Sequence, residues 1–167
     1  MGIGTGNQAA EVRPYEQARI LGGGSSINGL GTNRGAPSDY DEWAAMGADG
    51  WGWLDVLPYF RKLEKDHDFT GPLHGQDGPL PIRRLPRARW SAYARQMERV
   101  LGELGCPALD DQNGAWEDGV IPTATNTVVD GTRAGVVAAY LTPEVRRRPN
   151  LRILKRRCCG WRWRARA

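Results

Sequence analysis

Between Trp90 and Leu104 the apolar residues Trp90, Tyr93, Ala94, Met97, Val100, Leu101 and Leu104 recur at i, i+3, i+4, i+7, i+10, i+11 and i+14. That spacing lays one stripe along a helix, and Gly105 stands where a closing left-handed residue is wanted. The pattern predicts a helix over residues 90–104 whose aromatic residues and Met97 pack into the core. A shorter helix is predicted over residues 38–46, with Ser38 as its cap, Asp41 three residues on, and Gly47 and Gly50 at its end. Residues 53–65 read as another helix. Pro58 is then confined to the first turn, because proline lacks the amide hydrogen that an interior turn needs.

The remaining pattern is broken by turn residues. Residues 71–86 carry a cluster of prolines and glycines around Leu80-Pro-Ile82, which predicts loop with a short edge strand. Residues 120–129 alternate loosely and are β-branched, and Asp130-Gly131 after them is a turn dipeptide. Residues 134–141 can form a short helix that stops before Pro143. Leu151-Arg-Ile-Leu154 reads as a strand after Pro149-Asn150. Residues 1–17 are polar and irregular, and no repeat of fixed period is present.

Composition alters this picture at one point. The chain has 167 residues and a net charge of +4, yet residues 146–167 hold ten Lys/Arg and no Asp/Glu. Residues 1–145 hold 13 Lys/Arg against 19 Asp/Glu, a net of −6. The body is thus mildly acidic, which argues against a nucleic-acid platform. No stretch approaches the roughly 20 apolar residues that span a bilayer, and the first residues carry neither a basic region nor an apolar core of a signal peptide. A cytoplasmic protein with neither membrane nor nucleic acid as partner is the expectation. The cysteines, Cys106, Cys158 and Cys159, show no disulfide or zinc spacing. Cys106 reads as a small apolar residue after a helix, so no metal site is assigned.

The candidate chemistry lies in Arg19-Ile-Leu-Gly-Gly-Gly-Ser-Ser-Ile-Asn28-Gly-Leu-Gly-Thr-Asn-Arg34-Gly35. Consecutive glycines let a backbone approach a ligand closely. Their amides, with the Ser25 and Ser26 hydroxyls, can cradle an anion such as a pyrophosphate. Ile20 and Leu21 offer an apolar wall, and Asn28 supplies both a donor and an acceptor. The lysine of a P-loop is missing, and so is the G-x-G-x-x-G dinucleotide fingerprint. On composition alone this run reads as a mobile surface loop.

The wider string changes that weighting. Arg19-x-Leu-Gly-Gly-Gly-Ser-Ser-Ile-Asn-Gly29, Arg34-Gly35, Asp39-Tyr-Asp-Glu-Trp43 and Gly50-Trp-Gly-Trp53 through Val56-Leu-Pro-Tyr-Phe60 resemble the glucose–methanol–choline (GMC) oxidoreductase family. Gly71-Pro-Leu-His-Gly75 with Gly78-Pro79, Asp111-Gln-Asn-Gly114, and Ala139-Tyr-Leu141 with Arg148-Pro-Asn-Leu151 look like later stretches of it. The resemblance covers about residues 14–154. It implies non-covalently bound FAD and a two-electron oxidation of the CH–OH group of a small-molecule alcohol. Ile20, Gly22, Gly23, Gly24 and Ser25 would pass the ribityl and pyrophosphate region. Asn28, Gly29, Leu30 and Gly31 would sit near the isoalloxazine ring.

The implied fold is α/β (α+β taken alone): part of a three-layer FAD-binding domain over residues 1–70, then the start of an antiparallel-sheet substrate region over 71–155. The family's opening βαβ unit and its catalytic histidine, a general base, are expected to lie outside this chain. The chain is therefore read as an internal piece, inactive alone. His67 reads as a solvated surface residue and His74 as part of a loop word. A Ser25/His74/Asp77 triad is not demanded by the spacing, so no catalytic residue is assigned.

Residues 156–167 fit nothing in the family and read as an aberrant basic tail from a misread coding end. Two alternatives stand beside the oxidoreductase reading. One is a non-enzymatic binding module acting through the Trp/Arg tail, the other a non-functional product.

Overall fold

The computed structural model describes residues 16–128 and 130–154. Residues 1–15 of the irregular start and the basic tail at 156–167 lie outside the described residues. In chain order the elements are α1 (Pro37–Ala45), α2 (Trp53–Leu63), β1 (Glu64–Asp66), β2 (Leu80–Arg84), α3 (Ala92–Glu103), β3 (Ala124–Thr125), α4 (Val136–Tyr140) and α5 (Pro143–Arg146). Short 3-10 turns occupy Gly23–Ser26 and Arg87–Arg89. The sheet has the order β1-β2-β3, with β1 and β2 parallel and β2 and β3 antiparallel. Mixed helices with a small sheet agree with the expected class, and the β1–β2 pairing crosses residue 70.

Several elements differ from the sequence reading for visible reasons. Helix α1 begins at Pro37, a residue pre-set for a first turn. Asp39 rather than Ser38 serves its start, because its carboxylate accepts from the Ala36 amide at 3.2 Å. Helix α2 stops at Leu63, since Glu64 turns extended (φ −103°, ψ 151°) to pair with Leu80. Pro58 lies past the first turn of α2. The carbonyl of Leu54 therefore lacks its helical donor, at a residue 81% exposed, where water can serve it.

Strand β2 is central and not an edge. Pro81 is tolerated there because β3 pairs only with Arg83 and Arg84. Asp130-Gly131 does make a hairpin: Gly131 has φ +83°, its amide donates to Val128 O at 2.9 Å, and Thr127 bridges Arg133. Helix α4 ends at Tyr140, before Pro143 as expected, and Thr142 then caps a separate helix, α5, through the Val145 amide, with Pro143 in its first turn. Residues 151–154 form no strand and find no pairing partner among the described residues.

Helix α3 forms with Ser91 as its cap, accepting from the Ala94 amide. It closes as anticipated at Gly105 (φ +91°), through Gly105 N–H to Gly102 O at 3.0 Å and Cys106 N–H to Leu101 O at 2.9 Å. Its apolar stripe, however, is not core. No α3 residue is buried, and Tyr93 and Leu104 are each 75% exposed. Cys106 is exposed as well.

The interior is small and more polar than apolar. Leu80, Ile82 and Ala124 form the hydrophobic cluster, with Leu63 and Ala139 packed against it. Tyr40 is buried between α1 and α2 among Trp43, Trp53 and Phe60, at ring distances of 5.3, 5.9 and 5.7 Å. Around these sit the buried polar residues Arg34, Glu64, Asp66, His74, Arg84, Asn113 and Asn126. Charge pairing, rather than apolar volume, therefore organises the centre.

Candidate functional site

The glycine–serine loop folds into a hydrogen-bonded turn. Gly22 and Gly23 take φ +95° and +56°, which L residues rarely adopt. A Cβ on Gly22 would also lie 2.4 Å from Ser26 Oγ and 2.7 Å from Val137. These two glycines are required by the fold itself. The Ser25 hydroxyl donates to Gly22 O at 2.8 Å and the Ser26 hydroxyl to Leu21 O at 2.9 Å. Their protons thus close the turn, leaving lone pairs rather than donors for a ligand.

Gly24, Gly29 and Gly31 behave differently. None has a positive φ, a Cβ on Gly24 or Gly29 would meet nothing within 4 Å, and one on Gly31 would meet only Asn33 Oδ1 at 3.8 Å. The fold gives no internal reason for a missing side chain at these positions. A backbone stripped of side chains beside open space fits a flat ligand laid along it. Ile20 and Ile27, 62% and 57% exposed, supply apolar surface on the same loop. Leu30, with φ +67°, turns the chain so that its amide meets Asn28 Oδ1 at 3.2 Å.

The 124–137 segment holds this loop from behind. Asn126 is a buried hub: its amide donates to Leu30 O at 3.1 Å, its side-chain nitrogen to Ala134 O at 2.9 Å, and its oxygen accepts from Thr32 Oγ1 at 3.3 Å. Gly135 lets the chain pass so close that a Cβ there would be 2.9 Å from Ser25 O. The Val136 amide donates to Ser25 Oγ at 3.2 Å, and Arg133 reaches both Ser25 and Asn28. None of these supporting residues was singled out from the sequence. The turn dipeptide Asp130-Gly131 was the nearest signal. A cavity of about 320 Å³ lies beside them, lined in part by Ser26, Arg133, Val137 and Arg146.

Beneath the loop lies a buried charge network. Arg34 donates to Glu64 Oε1 at 2.5 Å and to Leu73 O at 2.7 Å. Arg84 bridges Asp66 Oδ2 at 2.5 Å and Asp111 Oδ1 at 2.6 Å. His74 sits among the three carboxylates, with Nε2 2.8 Å from Asp111 and Nδ1 3.2 Å from Asp66 and 3.5 Å from Glu64. The Nδ1 geometry falls short of a hydrogen bond, so that side is a charge contact. Burial opposes the imidazolium, but Asp111, Asp66 and Glu64 together push His74 up to about 10. The same pairing overcomes burial at Glu64, Asp66 and Asp111 and holds all three below the usual carboxylate range.

Three cations therefore meet three anions. Asn113 ties the network to the N-terminal segment, accepting from the Arg34 amide at 3.0 Å and donating to Thr32 O at 3.0 Å. Glu64, Asp66 and His74 have the right atoms for a metal. Glu64 Oε1 and Asp66 Oδ2 are already paired with Arg34 and Arg84, and a protonated His74 has no lone pair to offer. The cluster is a structural clamp. His74 carries no catalytic geometry with Ser25, whose hydroxyl is bonded within its own turn. His67 is exposed just after β1 and donates its amide to Ile82 O at 3.0 Å. Among the described residues, no helix is long and apolar enough to cross a membrane.

Comparison with known proteins agrees with this arrangement. The family model described as GMC oxidoreductase matches residues 3–160. The 5-(hydroxymethyl)furfural oxidase of Methylovorus sp. (strain MP688) is 48% identical over 140 residues, covering 83% of this chain and 26% of that protein. An oxygen-dependent choline dehydrogenase of Brucella anthropi is 37% identical over 139 residues, covering 83% and 25%. Among solved structures, pyridoxine 4-oxidase from Mesorbium loti superposes with a TM-score of 0.75 at 35% identity, over 87% of this chain and 28% of that one. An FAD-dependent oxidoreductase from Chaetomium thermophilum gives a TM-score of 0.69 at 26% identity, over 78% and 24%. The chain spans about a quarter of the length of the curated relatives it matches.

Proposed function

The chain belongs to the GMC oxidoreductase family, and on that premise we propose that residues 20–31 are a flavin-contacting element of an FAD-dependent enzyme that oxidises a small-molecule alcohol. FAD is the cofactor of this family, and when bound it supplies the two-electron acceptor. The residues of this chain position it. Ile20 and Gly22, Gly23, Gly24 and Ser25 line the ribityl and pyrophosphate side; Asn28, Gly29, Leu30 and Gly31 line the ring side. Residues 1–70 belong to the flavin-binding region and residues 71–155 to the start of the substrate region.

The observation that supports this reading best is the contrast within one loop. Gly22 and Gly23 are explained by backbone conformation, whereas Gly24, Gly29 and Gly31 have neither positive φ nor crowding around an added Cβ, and their bare backbone leaves room for a ligand. The substrate class follows from relatives named for 5-(hydroxymethyl)furfural, choline and pyridoxine. It is a small alcohol taken up by the enzyme as a whole. No residue here is assigned the proton-abstracting role, so the 167-residue chain is inactive alone and keeps no flavin through purification.

A chimera tests the reading. Residues 16–154 would replace the matching quarter of the 5-(hydroxymethyl)furfural oxidase relative, and flavin content would be read from visible absorbance. We expect the chimera to bind FAD, and Gly24→Leu or Gly29→Leu to lose it without loss of fold. Full flavin occupancy in both leucine variants would sink the proposal.

A further inference from the structure

The Arg133 guanidinium spans the two ends of the turn in the glycine–serine loop. Nη1 donates to Ser25 O at 3.1 Å and to Asn28 Oδ1 at 2.8 Å, while Nη2 donates to Asn28 O at 2.7 Å. These groups are 105 to 108 residues away in sequence. The other contacts across this seam are made by neutral groups, such as Val136 N–H to Ser25 Oγ and Asn126 N–H to Leu30 O. Arg133 is itself placed by a tight hairpin. Val128 N–H donates to Thr132 O at 3.0 Å, and Thr132 N–H to Asp130 Oδ1 at 2.8 Å.

We propose that Arg133 is a positioning residue for the bound flavin. Its planar fork fixes the Ser25–Asn28 turn, and so aims the bare backbone of Gly29 and Gly31 at the ligand. A lysine could not do this: an ammonium is a point charge, whereas three acceptors on two residues need the rigid geometry of a guanidinium. The fork also fixes Asn28. Its Oδ1 is held jointly by Arg133 and the Leu30 amide, which leaves only its side-chain NH2 to face a ligand. A sequence reading allowed Asn28 to act as donor or acceptor; the clamp makes it a donor. The flavin part of this inference rests on the function proposed above, whereas the clamp itself does not.

Amide hydrogen exchange on the full 167-residue chain tests both parts. In Arg133→Ala, exchange at Ile27 and Asn28 should accelerate by about tenfold or more, as befits lost charge-assisted hydrogen bonds. Exchange at His67 and Ile82 in the sheet should stay unchanged. Millimolar guanidinium should restore the loop's protection in this variant and ammonium should not. If Arg133→Ala unfolds the chain, seen as lost protection in the sheet, Arg133→Lys carries the test. It keeps charge and stem and should still loosen the loop. Unchanged exchange at Ile27 and Asn28, or equal rescue by ammonium, would overturn the clamp.

FAD added in large excess, which does not need the retention through purification that this chain lacks, should then protect residues 22–31 in the unaltered chain more than in Arg133→Ala. Equal protection in both would overturn the role of Arg133 toward flavin. A loosened loop with FAD protecting neither protein would uphold the clamp and count against the flavin reading.

Discussion

His74 Nε2 donates to Asp111 Oδ2 across 2.8 Å, joining the loop between β1 and β2 to the segment that follows α3. Because His74 is pushed up to about 10 from its ordinary 6.5, the folded state binds its proton more tightly than the unfolded state does. The stabilisation is complete below the ordinary histidine range and is lost as pH rises through about 10. Glu64, Asp66 and Asp111 are shifted downward. Their contribution is present above the ordinary carboxylate range and is lost in acid. Denaturant unfolding against pH should show a plateau between the two ranges. Nitrogen NMR should report a doubly protonated His74 at pH 8. A neutral imidazole at that pH would refute the network.

Removing one member should cost more than its hydrogen bond. In His74→Gln two arginines face three carboxylates in a closed site, and breaking a buried pair costs about 3–5 kcal/mol. Arg87, which pairs with Glu98 and Asp110 on the surface, offers the contrast. Arg87→Gln should cost about 1 kcal/mol or less. Urea unfolding at neutral pH separates the two; equal losses would place the stability elsewhere.

This network also bears on how much of the fold was readable. Arg34, His74, Asp111 and Asn113 each stood inside a short family word, and the structure brings those separate words to one point. The words were visible but their convergence was not, since the pairings span 37 to 79 residues. Glu64 and Asp66 were hidden in what looked like a charged helix end; their alternation becomes plain only when β2 pairs beside them. Helix α3 and its glycine closure were legible because they depend on neighbours in sequence. The burial of its stripe was not, because periodicity tells which face is apolar but not what covers it.

Glycines outside the flavin loop divide by their surroundings. A Cβ on Gly78 would lie 2.4 Å from Glu64 N, and one on Gly75 only 1.8 Å from Arg61 O. The Gly78 clash is with backbone at the start of β1 and the Gly75 clash with backbone in the last turn of α2, and neither can yield without disturbing the junction between helix and strand. Gly78→Ala should therefore destabilise by about 3 kcal/mol or more. Gly102, inside α3, has nothing within 4 Å of an added Cβ. Gly102→Ala should stabilise by about 0.5–1 kcal/mol through helix propensity. Thermal unfolding of the two variants should move in opposite directions.

The α3 stripe gives a prediction that a core reading would reverse. Met97 and Val100 are each 37% exposed, and Leu104 is 75% exposed. Leu104→Ser should therefore change the stability of this chain by less than about 0.5 kcal/mol, whereas Ile82→Ala in the closed cluster should cost about 2–5 kcal/mol. An open apolar stripe also favours association between copies as concentration rises. Sedimentation of Met97→Ser/Leu104→Ser should show less self-association than the unaltered chain at the same concentration. A large loss of stability in Leu104→Ser, with association unchanged, would mean that the stripe is packed after all.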